Sequence, residues 1–493
     1  MPTEIGALAR HTSVYGLGTI VGGIARAALI PIVARYVPAE EYGKASVVLM
    51  LVVLLSIVSE LGLSSSLIKF VNEATTEEQR RRVVSTILVG SLLVAAPIAL
   101  VCGLLLGGIS QLLLGSGDYR ALVLVGVAGG FGSAILQVGL SFERALARST
   151  RYLAYTLVKG GLSLALSIVL VVALKQGALG LLLGAAVAPL LLGVMVYGRL
   201  FARCGLRFSA AGFRSMLEFG GPLMPMNLAM WVLSYSDIYL LRRLSAPGLA
   251  LSEVGLYQYA QEICLILVLP ITALNLAWPQ FLFSNYQKPE GRALFARVQV
   301  YFSFFLIAVG FLVSLFARQI IAIVGSSRYE GSAQVIPLLA GSLVFYGLAV
   351  IFSSGLYVSA KTRILALVAS LCAVLNVVLN LALIPYLGKQ GAALATMATN
   401  LVMMVTILAA AQARYRIAFA WGRSLAAVML GAAVLLGLET LEGGALATGT
   451  LALRLVAALA FSLALLPLLG LKTDDLRRAL VLLRSVLMPG RTG

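Results

Sequence analysis

Arg26 is the residue from which a function can be argued. It stands near the middle of SVYGLGTIVGGIARAALIPIVARYV, Ser13–Val37, an apolar run longer than the roughly 20 residues that cross a bilayer. A guanidinium at that depth costs roughly 2.5–3.5 kcal/mol on insertion scales. It therefore belongs against a polar cavity or a partner, not lipid. Its chemistry is attraction of an anion along a path; the bland alternative is an ion pair joining helices. Lys159 is a second buried-span cation, two turns past Arg151, unless it snorkels to the surface. Arg454, near the end of the last span, reads as a snorkelling residue. The intramembrane acids are Asp237, Glu60 and Glu262. Each suits either pairing with Arg26 or carrying a coupling ion. Asn227, Asn275, Asn376, Asn380, Asn400 and Gln137 supply hydrogen-bonding groups. Asn376 and Asn380 are four apart and share a helix face, the pattern of residues that join helices.

These residues need a membrane fold to hold them. The chain has 493 residues, 60% hydrophobic and 11% charged, with a mean hydropathy of +1.00. A soluble protein carries about 25% charged residues, so this is an all-α polytopic membrane protein. The net charge of +18 would suggest nucleic acid in a soluble chain. Here the charges sit in short loops, where membrane orientation explains them. His11 is the only histidine, and the four cysteines form no CxxC pair. No metal site, disulfide framework or cofactor is indicated. The first residues lead into a full-length span without the pattern of a cleavable signal.

About fourteen spans are expected: Ser13–Val37, Ala45–Ile68, Val83–Leu106, Ala121–Phe142, Tyr152–Leu174, Ala178–Tyr197, Leu217–Leu241, Val254–Phe283, Val298–Phe316, Ala333–Val358, Ile364–Tyr386, Ala392–Ala413, Leu425–Leu438 and Thr450–Leu469. The thirteenth is short and has room to start nearer Ala420. Alternate connections, including Arg80–Arg82, Arg199–Arg214 and the tail after Leu469, hold about 25 of the 37 basic residues, which places both termini in the cytoplasm. Every loop is short. A glycosyltransferase or polymerase of the membrane would need a sizeable external loop for its chemistry, and none is present. Pro222 and Pro225 predict a kink at the start of the seventh span.

Two motifs recur at nearly one offset. EEYG, with Glu41 and Gly43, is echoed by SEVG, with Glu253 and Gly255, a shift of about 212 residues. KQGA occurs at Lys175–Ala178 and again at Lys389–Ala392, a shift of about 214. The spacing predicts a six-span unit repeated once. Six is even, so the copies are parallel repeats around a central cavity. The expected architecture is an N-lobe over 1–206 (helices 1–6) and a C-lobe over 207–416 (helices 7–12). Two more helices and a basic tail follow over 417–493. Asp237 is the preferred acid, because its span is the repeat counterpart of the first.

The segment Gly355–Thr399, GLYVSAKTRILALVASLCAVLNVVLNLALIPYLGKQGAALATMAT, resembles the C-terminal half of polysaccharide flippases of the MOP superfamily. The likeness rests on Lys361, Leu375–Asn376, Asn380, Ile384–Pro385 and Gly391–Ala393. GLYQYA and LAWPQF within Val254–Phe281 resemble the eighth span of that group, and ARYVPAEEYG at Ala34–Gly43 its first external turn. At subfamily level the chain is similar to Wzx-type flippases. The resemblance implies a monomeric inner-membrane transporter, not an enzyme. Its substrate would be an undecaprenyl-pyrophosphate-linked oligosaccharide, moved outward by alternating access and cation-driven antiport for exopolysaccharide or O-antigen synthesis. Membrane lipid, a polysaccharide polymerase and export proteins are the implied partners. On that reading Arg26 and Lys159 receive the pyrophosphate, since guanidinium matches phosphate oxygens in a two-pronged fashion. Asn227, Asn275 and Asn376 are the candidate sugar contacts. Asp237, Glu60 and Glu262 are the candidates for ion coupling. A MurJ-type lipid II flippase is the alternative nearest in chemistry. A multidrug–cation antiporter of the same superfamily would want acids in its cavity, whereas the first span offers an arginine.

Overall fold

The computed structural model describes residues 22–246, 248–361, 363–442 and 448–469, and every regular element among them is helical. Among these residues, ten helices are long and apolar enough to cross a membrane. The chain is therefore a multi-pass, all-α membrane protein. The start of the expected first span, 13–21, and the basic tail, 470–493, lie outside the described residues.

The first half runs α1 (22–36), α2 (Ala39–Glu60), α3 (Leu63–Glu73), α4 (Glu77–Leu104), α5 (Leu106–Leu114), α6 (Arg120–Ala145), α7 (Ser149–Ile168) and α8 (Gly177–Cys204). The second runs α9 (Ala210–Gly220), α10 (Met224–Leu244), α11 (Ala250–Ile263), α12 (Leu265–Asn285), α13 (Gly291–Leu315), α14 (Ala317–Val324), α15 (Ile336–Phe352), α16 (Ser354–Val358) and α17 (Arg363–Gln412). Helices α18 (Trp421–Glu442) and α19 (Thr448–Leu469) close the described chain. The thirteenth apolar run is thus a full-length helix that starts just after Ala420.

Several expected spans are broken helices, and each break has a local cause. The second bends between α2 and α3, where Leu61 and Gly62 take φ of 45° and 74°. Glycine is needed at the second position. A Cβ on Gly62 would stand 2.2 Å from the Gly220 carbonyl oxygen, so α3 and α9 approach backbone to backbone. The seventh is interrupted by a 3-10 turn at Gly221–Leu223 that contains Pro222, and Pro225 follows in the first turn of α10. Proline lacks the amide donor that a continuous helix needs. The eighth divides at Cys264 between α11 and α12. The eleventh and twelfth lie within α17 as two helices that meet at a sharp kink at Gly388, whose φ of 53° and ψ of −132° are open to glycine.

Close packing follows the small residues. Helix α6 lies on α2 and α8, and a Cβ on its Gly129 or Gly132 would come within 2.8 Å of Ala186 or Leu190. Without a hydrophobic force between helices in lipid, such close approach supplies the packing contacts. Helix α2 also faces α10 and α11 of the second half. Arg454 departs from the expected snorkelling. It is buried, and its guanidinium donates to the Leu315 carbonyl at 2.5 Å and to Gln319 Oε1 at 3.1 Å. The last carbonyls of α13 are orphan acceptors at the negative end of a helix dipole, which holds this arginine inside.

Candidate functional site

Arg26 leaves α1 and reaches across to the second half of the chain. Its Nη2 lies 2.5 Å from Glu262 Oε1 on α11. Gln258, one turn earlier, donates to the same oxygen at 3.2 Å. The other oxygen, Oε2, is buried and has no partner among the described residues. The two sides of the pair are unequal: the arginine side chain is 60% exposed and the glutamate 11%. The charge of Arg26 is thus balanced on one side and open on the other.

Lys159 lies on α7, exposed. The next residue, Gly160, faces Ala25, with 3.9 Å from its would-be Cβ to the alanine Cβ. Lys159 and Arg26 are therefore at one height on neighbouring helices. Asn227 on α10 and Asn275 on α12 are exposed, and Glu60 is half-buried near the end of α2. Arg26 meets Glu262 rather than Asp237, because the oxygens of Asp237 are engaged elsewhere.

Asp237, on α10, is 1% exposed. Tyr257 of α11 and Thr396 of α17 each donate a hydroxyl to its Oδ2 at 2.6 Å. Asn380 of α17 donates to its Oδ1 at 2.6 Å and to Asn376 Oδ1 at 3.0 Å. Ser236 donates to Asn376 Oδ1 at 2.8 Å. All six side chains come from three helices, and α17 contributes residues from both sides of its Gly388 break. Among the described residues, no lysine or arginine forms an ion pair with Asp237. A fully buried carboxylate surrounded by neutral donors and oxygen acceptors suits a proton or a hard monovalent cation, since a bare charge at that depth is very costly.

Asn376 is a sugar candidate by its resemblance, and the four-residue spacing of Asn376 and Asn380 fits a helix join. Both are buried and tied to Asp237. Tyr257, Thr396, Ser236 and Gln258 were not singled out. Tyr257 and Gln258 stand inside GLYQYA, and Thr396 inside GAALATMAT, so the stretches that carry the family likeness also carry these groups.

Residues 8–279 match the family model described as "Polysaccharide biosynthesis protein". The chain belongs to that family. No curated protein matches the sequence. Among solved structures, the fold is similar to "Lipid II flippase MurJ, inward closed conformation", at 15% identity and a TM-score of 0.72, covering 90% of this chain and 97% of that one. It is also similar to a multidrug resistance MATE family transporter of the MOP superfamily in an inward-facing conformation, at 16% identity and a TM-score of 0.60, covering 80% and 98%. The outward-facing form of a MATE transporter gives 16% identity and 0.56, covering 83% and 94%. This family member therefore has the fold of MOP superfamily transporters.

Proposed function

We propose that this chain flips a polyprenyl-pyrophosphate-linked oligosaccharide across the bacterial cytoplasmic membrane by alternating access. The observation that carries the reading is Arg26: a guanidinium inside a membrane span, open on one face, level with Lys159 on the adjacent helix. Two cations at one height suit the charge of a pyrophosphate, and the lipid tail stays in the bilayer. Asn227 and Asn275 are exposed and remain the sugar candidates. Asn376 is reassigned from the sugar to the Asp237 network, which holds the coupling proton or sodium ion. Glu60 is not part of either cluster and is left out of the coupling role.

The reading includes fourteen spans with both termini in the cytoplasm. It also includes lobes over 1–206 and 207–416, with the remaining helices and tail over 417–493. Export should be tested by complementation of a strain lacking its own polysaccharide flippase. Arg26→Ala should abolish surface polysaccharide while the protein stays in the membrane at wild-type level. Full export by that variant removes the assignment.

A lipid II flippase is the second reading, favoured by the higher TM-score to MurJ than to the MATE transporters. Rescue of growth in cells depleted of their own lipid II flippase would select it.

A further inference from the structure

We infer that Glu262 is an internal stand-in for the substrate's phosphate, holding Arg26 in the unloaded protein until a multivalent anion displaces it. The inference rests on the pyrophosphate reading of Arg26 and adds to it a residue that sets selectivity. Three observations support it. The pair is a single-point contact, Nη2 to Oε1, whereas arginine binds most strongly through two parallel contacts. The contact is therefore replaceable by a ligand offering more oxygens. Next, Arg26 is far more accessible than Glu262, so an incoming anion approaches the arginine without first uncovering the glutamate. Last, Glu262 Oε1 keeps a second donor, Gln258, which still serves it after Arg26 departs.

The exchange has a selective consequence. A monoanion offers Arg26 no more charge than Glu262 already does, so it gains little by entering. A diphosphate brings more charge and more oxygens and takes the arginine. The exchange also has a mechanical consequence. Arg26 and Glu262 stand on opposite halves of the chain, and Glu262 lies two residues before Cys264, where α11 gives way to α12. Displacement releases α1 from α11 next to that break.

The test uses purified full-length protein in nanodiscs, with polyprenyl diphosphate and the methyl ester of polyprenyl monophosphate, a true monoanion, as probes. The wild type should bind the diphosphate and discriminate against the monoanionic methyl ester. Glu262→Gln should bind the diphosphate about tenfold more tightly, near 1.4 kcal/mol, and should lose most of the discrimination. Arg26→Gln should bind neither. Glu262→Gln with unchanged or weaker diphosphate binding, while Arg26→Gln still loses it, overturns the stand-in role and leaves the substrate reading intact. Equal diphosphate binding by Arg26→Gln and wild type overturns both. A measurement on the wild type alone guards against a variant that does not accumulate: inorganic pyrophosphate should displace the bound lipid, and acetate at the same concentration should not. Equal displacement by acetate overturns the inference.

Discussion

Gly43 and Gly255 meet reciprocally where α2 crosses α11. A Cβ on Gly43 would stand 1.9 Å from the Leu251 carbonyl oxygen and 3.2 Å from the Gly255 nitrogen; a Cβ on Gly255 would stand 1.8 Å from the Ala39 carbonyl oxygen and 3.1 Å from the Gly43 nitrogen. Each glycine faces the carbonyl four residues before the other, so the crossing has a local two-fold relation. These are the glycines of EEYG and SEVG. Glu41 and Glu253 of the same motifs reach the two KQGA turns, Glu41 accepting from the Ala178 amide at 3.2 Å and Glu253 from the Lys389 amide at 3.0 Å. Motifs that echo each other along the chain are thus joined in space.

No side chain fits at either glycine without separating two backbones. Gly43→Ala or Gly255→Ala should therefore destabilise the crossing by about 1–3 kcal/mol, the usual cost of overpacking. Thermal unfolding of the purified variants checks this. Cysteines placed on exposed positions of α2 and α11 should also cross-link more slowly in the alanine variants than in a glycine background.

Glu253 should matter more than Glu41. It holds both the amide and the ammonium of Lys389, the latter at 2.7 Å, and the two side chains are mostly buried. Glu253→Gln should cost about 1–3 kcal/mol, the range for losing a buried charged hydrogen-bond partner. Glu41 is more exposed, and its Lys44 partner also has Glu40. Glu41→Gln should lower the melting temperature by less, and a direct comparison of the two melting curves decides it.

Asp237→Asn keeps the shape of the buried cluster and removes its charge. The variant should fold, bind lipid substrate and lose ion-driven transport in proteoliposomes. The stability readout is independent of transport. If sodium is the coupling ion, saturating it at about 100 times its Kd should stabilise the wild type by about 2.7 kcal/mol, and Asp237→Asn not at all. Wild-type and variant melting curves that respond equally to sodium and to pH would remove the ion from this site.

Arg454→Ala should loosen the docking of α19 on α13. It strips the donor from the Leu315 carbonyl at the α13 C-terminus, leaving an acceptor that the interior cannot hydrate. A loss of about 1–3 kcal/mol is expected. Arg454→Lys should recover only part of it, because an ammonium reaches one acceptor where the guanidinium serves Leu315 and Gln319. Limited proteolysis between α18 and α19 would report the loosening.

Much was legible along the chain because it depends on near neighbours. Hydropathy marked the apolar runs, prolines 222 and 225 marked a break, and the depth of Arg26 in its span marked it as a residue with a task. The motif echo and the family likeness were also readable without coordinates. The acid that would meet Arg26 was not. Asp237 and Glu262 are both intramembrane carboxylates, and periodicity cannot rank them. The choice depends on how two halves of the chain, 236 residues apart at this contact, are turned against each other. The backbone contact of Gly43 with Gly255 orients α2 on α11. Tyr257, Thr396 and Asn380 occupy Asp237, and Glu262 is the acid left facing α1. Local pattern determines which groups a membrane must bury; only the packing of distant helices decides which of them touch.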